Sequence, residues 1–569
     1  MWGSLLIYLA IYAQIIHSKT PTHGCPNDLR RLNSKSLSVT NRFQPGNAGS
    51  VAAIFRFLQQ SELGNCPTIV YGPHINDTAP VQRWRQTEHF ESRCTATVGV
   101  DVLRSGGGDD GIFTYFDSNT QFSNMFDEGS DNAAIRTHKR IKLTAKEFLE
   151  AVFTRSWNGS SVMVRFGGRI ERSPCPRLQR DTAAYVSPEF NNVVTSLWIS
   201  SSGATSSAHF DLFDNLHCVV RGRKRVLLSP PSHTSIAAYA PFPGAHPHAR
   251  QAQNYFNRSA GSLVASPATA VPPQYHGDDE IVNFDSASTF QVVVAEVKAG
   301  EALFIPAGWF HHVTAVEEDR DDIETNVDSC ATDISNELQR RQRSTTISLS
   351  VTQNVDELME FNQWILHDKV LSLPKGGHMT MRRLSAALTV YFPVLLKTLW
   401  DADHDRTEKY LEGKSRTKAL NGEIDDDPVR MWRAERKKCL ERTKQKLGAS
   451  EQPELPIRRC DSSKLPWLSP LESLVRLSYS NDVRRQLGYA PHSNTISTGI
   501  SHFRCPDEPI AAKDTKWAIR QARAAAKRFN DKFRPALRRL FFQPFMETLL
   551  SKLGGLANGL DFVDKCVLL

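Results

Sequence analysis

The 569-residue chain has ten cysteines and no CxxC pair among them; they stand at Cys25, Cys66, Cys94, Cys175, Cys218, Cys330, Cys439, Cys460, Cys505 and Cys566. That spacing excludes zinc-finger modules, and the density is too low for a small disulfide scaffold. Scattered thiols of this kind predict reduced cysteines in a cytosolic or nuclear setting. Cys218, inside an apolar run, is expected to be a buried core thiol. A membrane-spanning length of apolar residues is also missing at the N-terminus. The stretch 5–16 (LLIYLAIYAQII) is nearly unbroken but too short for an ordinary span. No Lys or Arg precedes it, and Ala13 is its one candidate cleavage site, with Ile11 badly placed two residues before. Asn76-Asp77-Thr78, Asn158-Gly159-Ser160 and Asn257-Arg258-Ser259 are glycosylation tripeptides, a pattern that also arises by chance. The expected compartment is cytoplasm or nucleus; a secretory route or an N-terminal membrane anchor stays open. Neither charge sign dominates. The net charge of +8 comes from 69 basic and 61 acidic residues, so an acidic partner is permitted but not required. No internal repeat at a fixed period is present.

What is present falls into three stretches. Residues 1–48 join the apolar segment to a polar, Ser-, Asn- and Pro-containing linker. From residue 49 to 355 a mixed pattern follows. Val51, Ile54, Phe55 and Leu58 fall at helical spacing, and 67–71 (PTIVY) reads as a short buried strand. Residues 142–153 read as a helix with Thr144 as cap and Glu147 three residues on. Within this stretch, 196–352 carries repeated short strands at 196–200, 215–220, 225–229, 290–297, 302–306, 312–316 and 346–351, punctuated by Gly and Pro. Many short strands with turn signals predict a sandwich or barrel. The insertions 235–285 and 317–343 lack steady apolar spacing and are expected to be surface loops. From 356 to 569 the chain reads helical, with Pro393 expected to kink one helix and Pro535 and Pro544 to interrupt another.

Two short segments carry chemistry. One is Ser206-Ser207-Ala208-His209-Phe210-Asp211. The other runs Gly300-Glu301-Ala302-Leu303-Phe304-Ile305-Pro306-Ala307-Gly308-Trp309-Phe310-His311-His312. On a strand, His209 and Asp211 share a face. A closing barrel could bring His311 opposite them. Two imidazoles and a carboxylate are the usual set for non-haem Fe(II) with open coordination positions. His312 is the rival to His311. Asp214 and His217 fit solvent or packing roles, Trp309 and Phe310 wall and core roles. His246 and His248 lack the Cys or acidic company of a second metal site.

The stretch from Leu197-Trp198-Ile199-Ser200 through His209-Phe210-Asp211 to Arg221-Gly222-Arg223-Lys224-Arg225 resembles the JmjC, or cupin-8, oxygenases. In particular it resembles their small hydroxylase branch, which includes the hypoxia-factor asparaginyl hydroxylase and the tRNA wybutosine hydroxylase. Pro67-Thr68-Ile69-Val70-Tyr71-Gly72 and Val81-Gln82-Arg83-Trp84 belong to the same resemblance, which covers roughly 50–355. It implies a mainly β fold with helices: a double-stranded β-helix (cupin, jelly-roll) core, here followed by an α-helical C-terminal region that matches nothing in the family. It implies His209, Asp211 and His311 as Fe(II) ligands. It implies Lys224 against the distal carboxylate of the co-substrate 2-oxoglutarate, with the Ser206 hydroxyl beside it and Asn215 nearby. Thr352 stands where many relatives carry Asn. The implied reaction decarboxylates 2-oxoglutarate to succinate, consumes O2 and hydroxylates a substrate; hydroxylation of an N-methyl carbon would give demethylation.

A protein is the expected substrate. RNA is a second candidate, because basic residues from Lys516 to Arg539 are interleaved with Trp517, Phe529, Phe533 and Phe541. The competing reading, and the favoured one, is an amphipathic helix whose aromatics are buried and whose basic face is solvated. The family resemblance also implies that the C-terminal helices could form a homodimer. Two rival functions stay open: a cupin-fold metal enzyme that does not use 2-oxoglutarate, and a barrel without turnover that serves as a binding scaffold.

Overall fold

The computed structural model describes residues 29–37, 50–104, 112–113, 139–186, 193–231, 241–243, 249–252, 292–317, 345–353, 381–412, 431–435, 511–532, 535–551 and 556–567, with isolated positions between them. Fifteen strands are present among them: β1 Arg30–Asn33, β2 Thr68–Tyr71, β3 Val98–Arg104, β4 Ile112–Phe113, β5 Lys139–Leu143, β6 Ser156–Trp157, β7 Ser160–Arg169, β8 Val193–Ser201, β9 Thr205–Phe210, β10 Asn215–Arg221, β11 Arg223–Ser229, β12 Val293–Lys298, β13 Ala302–Ile305, β14 Phe310–Val316 and β15 Thr345–Gln353.

The last eight strands form two facing antiparallel sheets. The larger runs β13-β10-β15-β8, and the smaller β12-β11-β14-β9. From β8 to β15 the chain alternates between the two sheets, except that β11 and β12 are hydrogen-bonded neighbours in the smaller one; this is the double-stranded β-helix expected from the sequence. The larger sheet continues past β8 into β7, β3 and β5, and past β13 into β2 and β1. The smaller sheet gains β4, parallel to β9. Strand-to-strand closure of this kind leaves few unpaired edges.

Period-two alternation sorts the side chains. On the larger sheet Leu197, Ile199, Leu216, Cys218, Phe304, Ile347 and Leu349 point away from the smaller sheet. They pack against helix α1 (Ser50–Gln60) and helix α2 (Ala145–Thr154). Phe55 of α1 meets Phe304 with ring centroids 6.2 Å apart. Helix α2 begins with the capping box read from the sequence: Thr144 accepts from the Glu147 amide, and the Glu147 carboxylate accepts from the Thr144 amide. It starts three residues later than the 142–153 expected, because Lys142 and Leu143 belong to β5 and Thr144 is the cap. Between the sheets, Val219, Leu303 and Ile305 of the larger meet Val226, Leu228, Ala295 and Val297 of the smaller in a second apolar cluster.

Helices α3 (Met381–Glu412), α4 (Ala512–Lys532), α5 (Pro535–Ser551) and α6 (Leu556–Phe562) share their own core, built on Tyr391, Leu395, Phe529, Phe545 and Phe562. Pro535 opens α5, as a residue without an N–H can. Pro544 lies inside α5 and Pro393 inside α3. The expected interruption at Pro544 therefore does not occur, since packing of Phe545, Met546 and Leu549 holds the helix together across it. Trp517 and Phe529 are buried while Lys516, Arg520, Arg523 and Lys527 are exposed, which is the amphipathic arrangement. Within the stretch that reads helical, residues 357–371 and most of 428–448 and 469–487 lie outside the described residues. No helix among the described residues is long and apolar enough to cross a membrane.

Two expectations are corrected. The cysteines are not all reduced: Cys25–Cys66 and Cys94–Cys175 are disulfides, and Cys566 is disulfide-bonded as well. The partners are 41 and 81 residues apart in sequence, so only the fold brings them together. Cys218 is the free, buried thiol expected. The insertion 235–285 is not merely a surface loop either. Its Tyr239, Phe242, Gln251 and Ala252 are buried, and Gln251 bridges directly to His209.

Candidate metal centre

His209 is the penultimate residue of β9, and His311 is the second of β14. The two strands pair antiparallel with His311 opposite His209, so strand register alone places the imidazoles side by side. Their ring centroids lie 4.2 Å apart. Asp211 follows β9 immediately, and its Oδ2 is 3.6 Å from His311 Nε2. One ligand atom from each of the three falls within 4.8 Å of the others. His311 thus begins inside a strand that the sequence reading started at 312. His312 faces the other way, with its Nε2 near the Thr314 hydroxyl.

Both imidazoles are oriented by the backbone. His209 Nδ1–H donates to the Ser207 carbonyl at 2.7 Å, and His311 Nδ1–H donates to the Trp309 carbonyl at 2.9 Å. A carbonyl can only accept, so Nδ1 carries the proton and Nε2 is left with its lone pair toward the centre. This is how metal-binding histidines are usually held. Burial first, and then the His311 imidazole, push His209 down to about 3, so its ring is neutral at any physiological pH.

The turn ahead of His311 is fixed separately. Gly308 takes a left-handed φ of 82° and donates its amide to the Asp211 carbonyl at 2.7 Å. Asp214 accepts from the Ala307 amide at 2.8 Å and from Gln59 Nε2 at 3.1 Å. It is therefore a brace for that turn rather than a ligand. Trp309 is a core residue whose Nε1 donates to the Asn65 carbonyl. Phe310 stacks on Tyr239 on the outer face of the smaller sheet, beside Phe210 and Leu540 of α5. The helical region thus packs directly behind the strands that carry the histidines. His246 and His248 lie outside the described residues.

Lys224 is on β11, on the face shared with Val226 and Leu228, and so points between the sheets. It is 4% exposed, which overturns the solvated-hairpin alternative. Burial first, and then the nearby Arg165 guanidinium, lower its pKa to about 7. No acidic side chain among the described residues pairs with it. Arg165, on β7, donates from Nη1 to the Ser206 hydroxyl at 3.0 Å and from Nη2 to Asp101 at 3.2 Å. Ser206 and Lys224 therefore sit with a second cation that the sequence reading missed. A lone Arg inside the apolar run Val162-Met163-Val164-Arg165-Phe166 was the available signal.

Asn215 opens β10 and accepts from the Ser350 hydroxyl at 2.6 Å; Thr352, its register partner on β15, bonds the Val194 carbonyl instead. His217, read as a packing residue, points between the sheets with Val219. Its pKa is well below the ordinary value, through burial first, then Lys224, then His311. Its Nε2 is buried without a hydrogen-bond partner, as are Trp198 Nε1 and Ser348 Oγ. Both latter residues lie opposite Leu197 and Leu349 in the alternation and so face the interior too. Trp198 lies across Gly167 on β7, where any Cβ would run into the indole ring. Buried polar atoms are normally bonded, so a set of them facing one interior marks a space for polar company, water or a polar ligand.

A model of the cupin-like domain matches residues 56–330. This region is a cupin-like domain of the JmjC type. The chain is 30% identical over 118 residues to the human bifunctional peptidase and (3S)-lysyl hydroxylase JMJD7, covering 21% of this chain and 36% of that protein. It is 28% identical over 214 residues to the Arabidopsis thaliana lysine-specific demethylase JMJ31, covering 33% and 35%. It is 31% identical over 141 residues to lysine-specific demethylase JMJ32 of the same plant, covering 23% and 39%. The chain thus spans well under half the length of each of these relatives. The match takes in all three candidate ligands and the strands from β2 to β14, while β1, β15 and the helices after residue 381 fall beyond it.

Proposed function

We propose that this protein is an Fe(II)- and 2-oxoglutarate-dependent oxygenase that hydroxylates a protein side chain. The observation that carries the reading is the meeting of His209, Asp211 and His311 with both Nε2 atoms turned inward. Two imidazoles and one carboxylate are a donor set that would hold a ferrous ion and leave room on it for further ligands. When bound, the iron supplies the positions at which O2 and the 2-oxo acid are activated.

The protein's own residues do the rest. The Lys224 ammonium and the Ser206 hydroxyl are the group for the distal carboxylate of 2-oxoglutarate. Arg165 holds the Ser206 oxygen in place and adds positive charge beside it. Asn215 and Ser350 bond each other at the end of β10 nearest Ile305, on the wall of the same interior. The apolar cluster of Val226, Leu228, Leu303 and Ile305 closes the space between the sheets against water, which strengthens every charge interaction inside.

The substrate class rests on the relatives. All three are named for action on lysine, so a lysyl side chain of a protein is the first substrate to test. Hydroxylation of the carbon chain and removal of an N-methyl group share the same first event, and the products separate them. The test incubates the full chain with Fe(II), 2-oxoglutarate, ascorbate and a cell extract, with the His311→Ala variant alongside. Succinate release and peptides heavier by one oxygen atom, or lighter by one CH2 where a methyl group is replaced by hydrogen, in the wild-type sample alone support the proposal. No succinate from the iron-loaded wild type refutes it.

A further inference from the structure

We infer that Asn158 carries an N-linked oligosaccharide and that the chain folds in a compartment that oxidises thiols. The first support is the pair of disulfides. Cys25–Cys66 ties the segment before β1 to the residues leading into β2. Cys94–Cys175, with Cys175 fully buried, ties the turn after residue 92 to the turn that opens at Pro176. Such bonds form and persist in secretory compartments and are rare where glutathione keeps thiols reduced.

The second support is independent of the cysteines. Asn158-Gly159-Ser160 has the acceptor pattern for N-glycosylation, a modification of that same route. The fold presents it at a hairpin tip. Trp157 of β6 pairs with Ser160 of β7, leaving Asn158 and Gly159 as a two-residue turn with φ of 48° and 71°. Asn-Gly is the favoured pair for such a turn because both positions need positive φ. Asn158 is exposed, and no atom lies within 4 Å of the position a Cβ would take at Gly159. A bulky sugar chain therefore has room.

The tripeptide at Asn76 is presented differently. Asn76 Oδ1 lies 2.5 Å from where a Cβ would stand at Gly300, so its side chain rests on the neighbouring turn. The Thr78 hydroxyl is buried and donates to the Ile75 carbonyl. The third tripeptide, at Asn257, lies outside the described residues. Both asparagines are exposed, but only Asn158 stands at a hairpin tip, away from a neighbouring turn.

In the transfer, Nδ2 of Asn158 bonds to the anomeric carbon of an oligosaccharide carried on a lipid diphosphate. The anomeric C–O bond breaks, the diphosphate departs with its electron pair, and the amide gives up one proton.

The test expresses the full chain in a eukaryotic cell and alkylates thiols at lysis. Glycopeptide mapping and mobility before and after peptide N-glycosidase treatment then follow. The expected result is a glycan on the peptide containing Asn158, a disulfide-linked peptide joining Cys94 to Cys175, and loss of one mobility step in N158Q. S160A, which keeps the Asn-Gly turn, should lose the same step, and N76Q should not. An unmodified Asn158, or alkylated Cys94 and Cys175, overturns the inference.

Discussion

The two sheets of the barrel differ in what they hold. The smaller sheet carries every residue proposed to touch iron or the distal carboxylate: His209 and Ser206 on β9, Asp211 just beyond it, His311 on β14 and Lys224 on β11. The larger sheet is extended by six further strands, β6 at the side of β7 included, and plated on its back by α1, α2 and their apolar cluster. It contributes interior polar groups, His217, Trp198 and Ser348, but no ligand. The proposed chemistry is thus concentrated on one sheet and the larger apolar cluster on the other. Rigid support behind a site fixes its geometry more closely than loops can.

The sharpest test of this division removes a ligand. His311→Ala should abolish turnover and weaken metal retention by at least ~100-fold, while the apo protein melts close to wild type. Calorimetric metal titration and thermal melting of the same sample read both quantities. A large fall in melting temperature would mean that the smaller sheet also carries the stability.

The mirror experiment is Phe304→Ala on the larger sheet. Phe304 is fully buried against Phe55, and truncation should cost about 3–5 kcal/mol of unfolding free energy. The fraction that remains folded should bind metal as wild type does. Denaturant unfolding with and without metal measures it.

A smaller effect concerns pH. Burial lowers Lys224 to about 7 in the free protein, and a bound carboxylate raises it again. Below about pH 7 the ammonium is already charged, so affinity for 2-oxoglutarate should be level there. Above it, binding must first take up a proton, and affinity should fall by up to about tenfold per pH unit. Lys224→Arg, whose guanidinium stays charged, should flatten that slope whatever its own affinity. Calorimetry across pH 6–9, a range of roughly three units around that value, reads it directly.

The smallest effect lies at the edge of the larger sheet. Thr144→Ala removes the cap of α2 and should cost about 1 kcal/mol, with no change in metal affinity.

The comparison also explains what the sequence made legible. His209, Asp211 and His311 could be read because ligand identity and strand periodicity point the same way. The eight barrel strands were readable from turn residues, apart from β9 itself, whose Ser-Ser-Ala run gives little apolar signal. The burial of Lys224 was not readable, since Arg221-Gly222-Arg223-Lys224-Arg225 looks like any solvated hairpin until β11 is flanked by β12 and β14. Arg165 and His217 lie on strands of the larger sheet, 44 residues before and 8 after His209 in sequence, and meet the site only through the closed barrel. The disulfides were hidden for the same reason. Gln251 and Tyr239 were hidden because an Ala-, Pro- and His-rich stretch shows no periodicity even where it packs.

The most direct measurement of the central claim is anaerobic titration of the purified full chain with Fe(II), followed by 2-oxoglutarate, alongside His209→Ala and His311→Ala. Saturation at one ion per chain, a new visible absorption band when the 2-oxo acid is added, and loss of both in either variant is the predicted result. Equal iron binding by wild type and both variants would contradict the account.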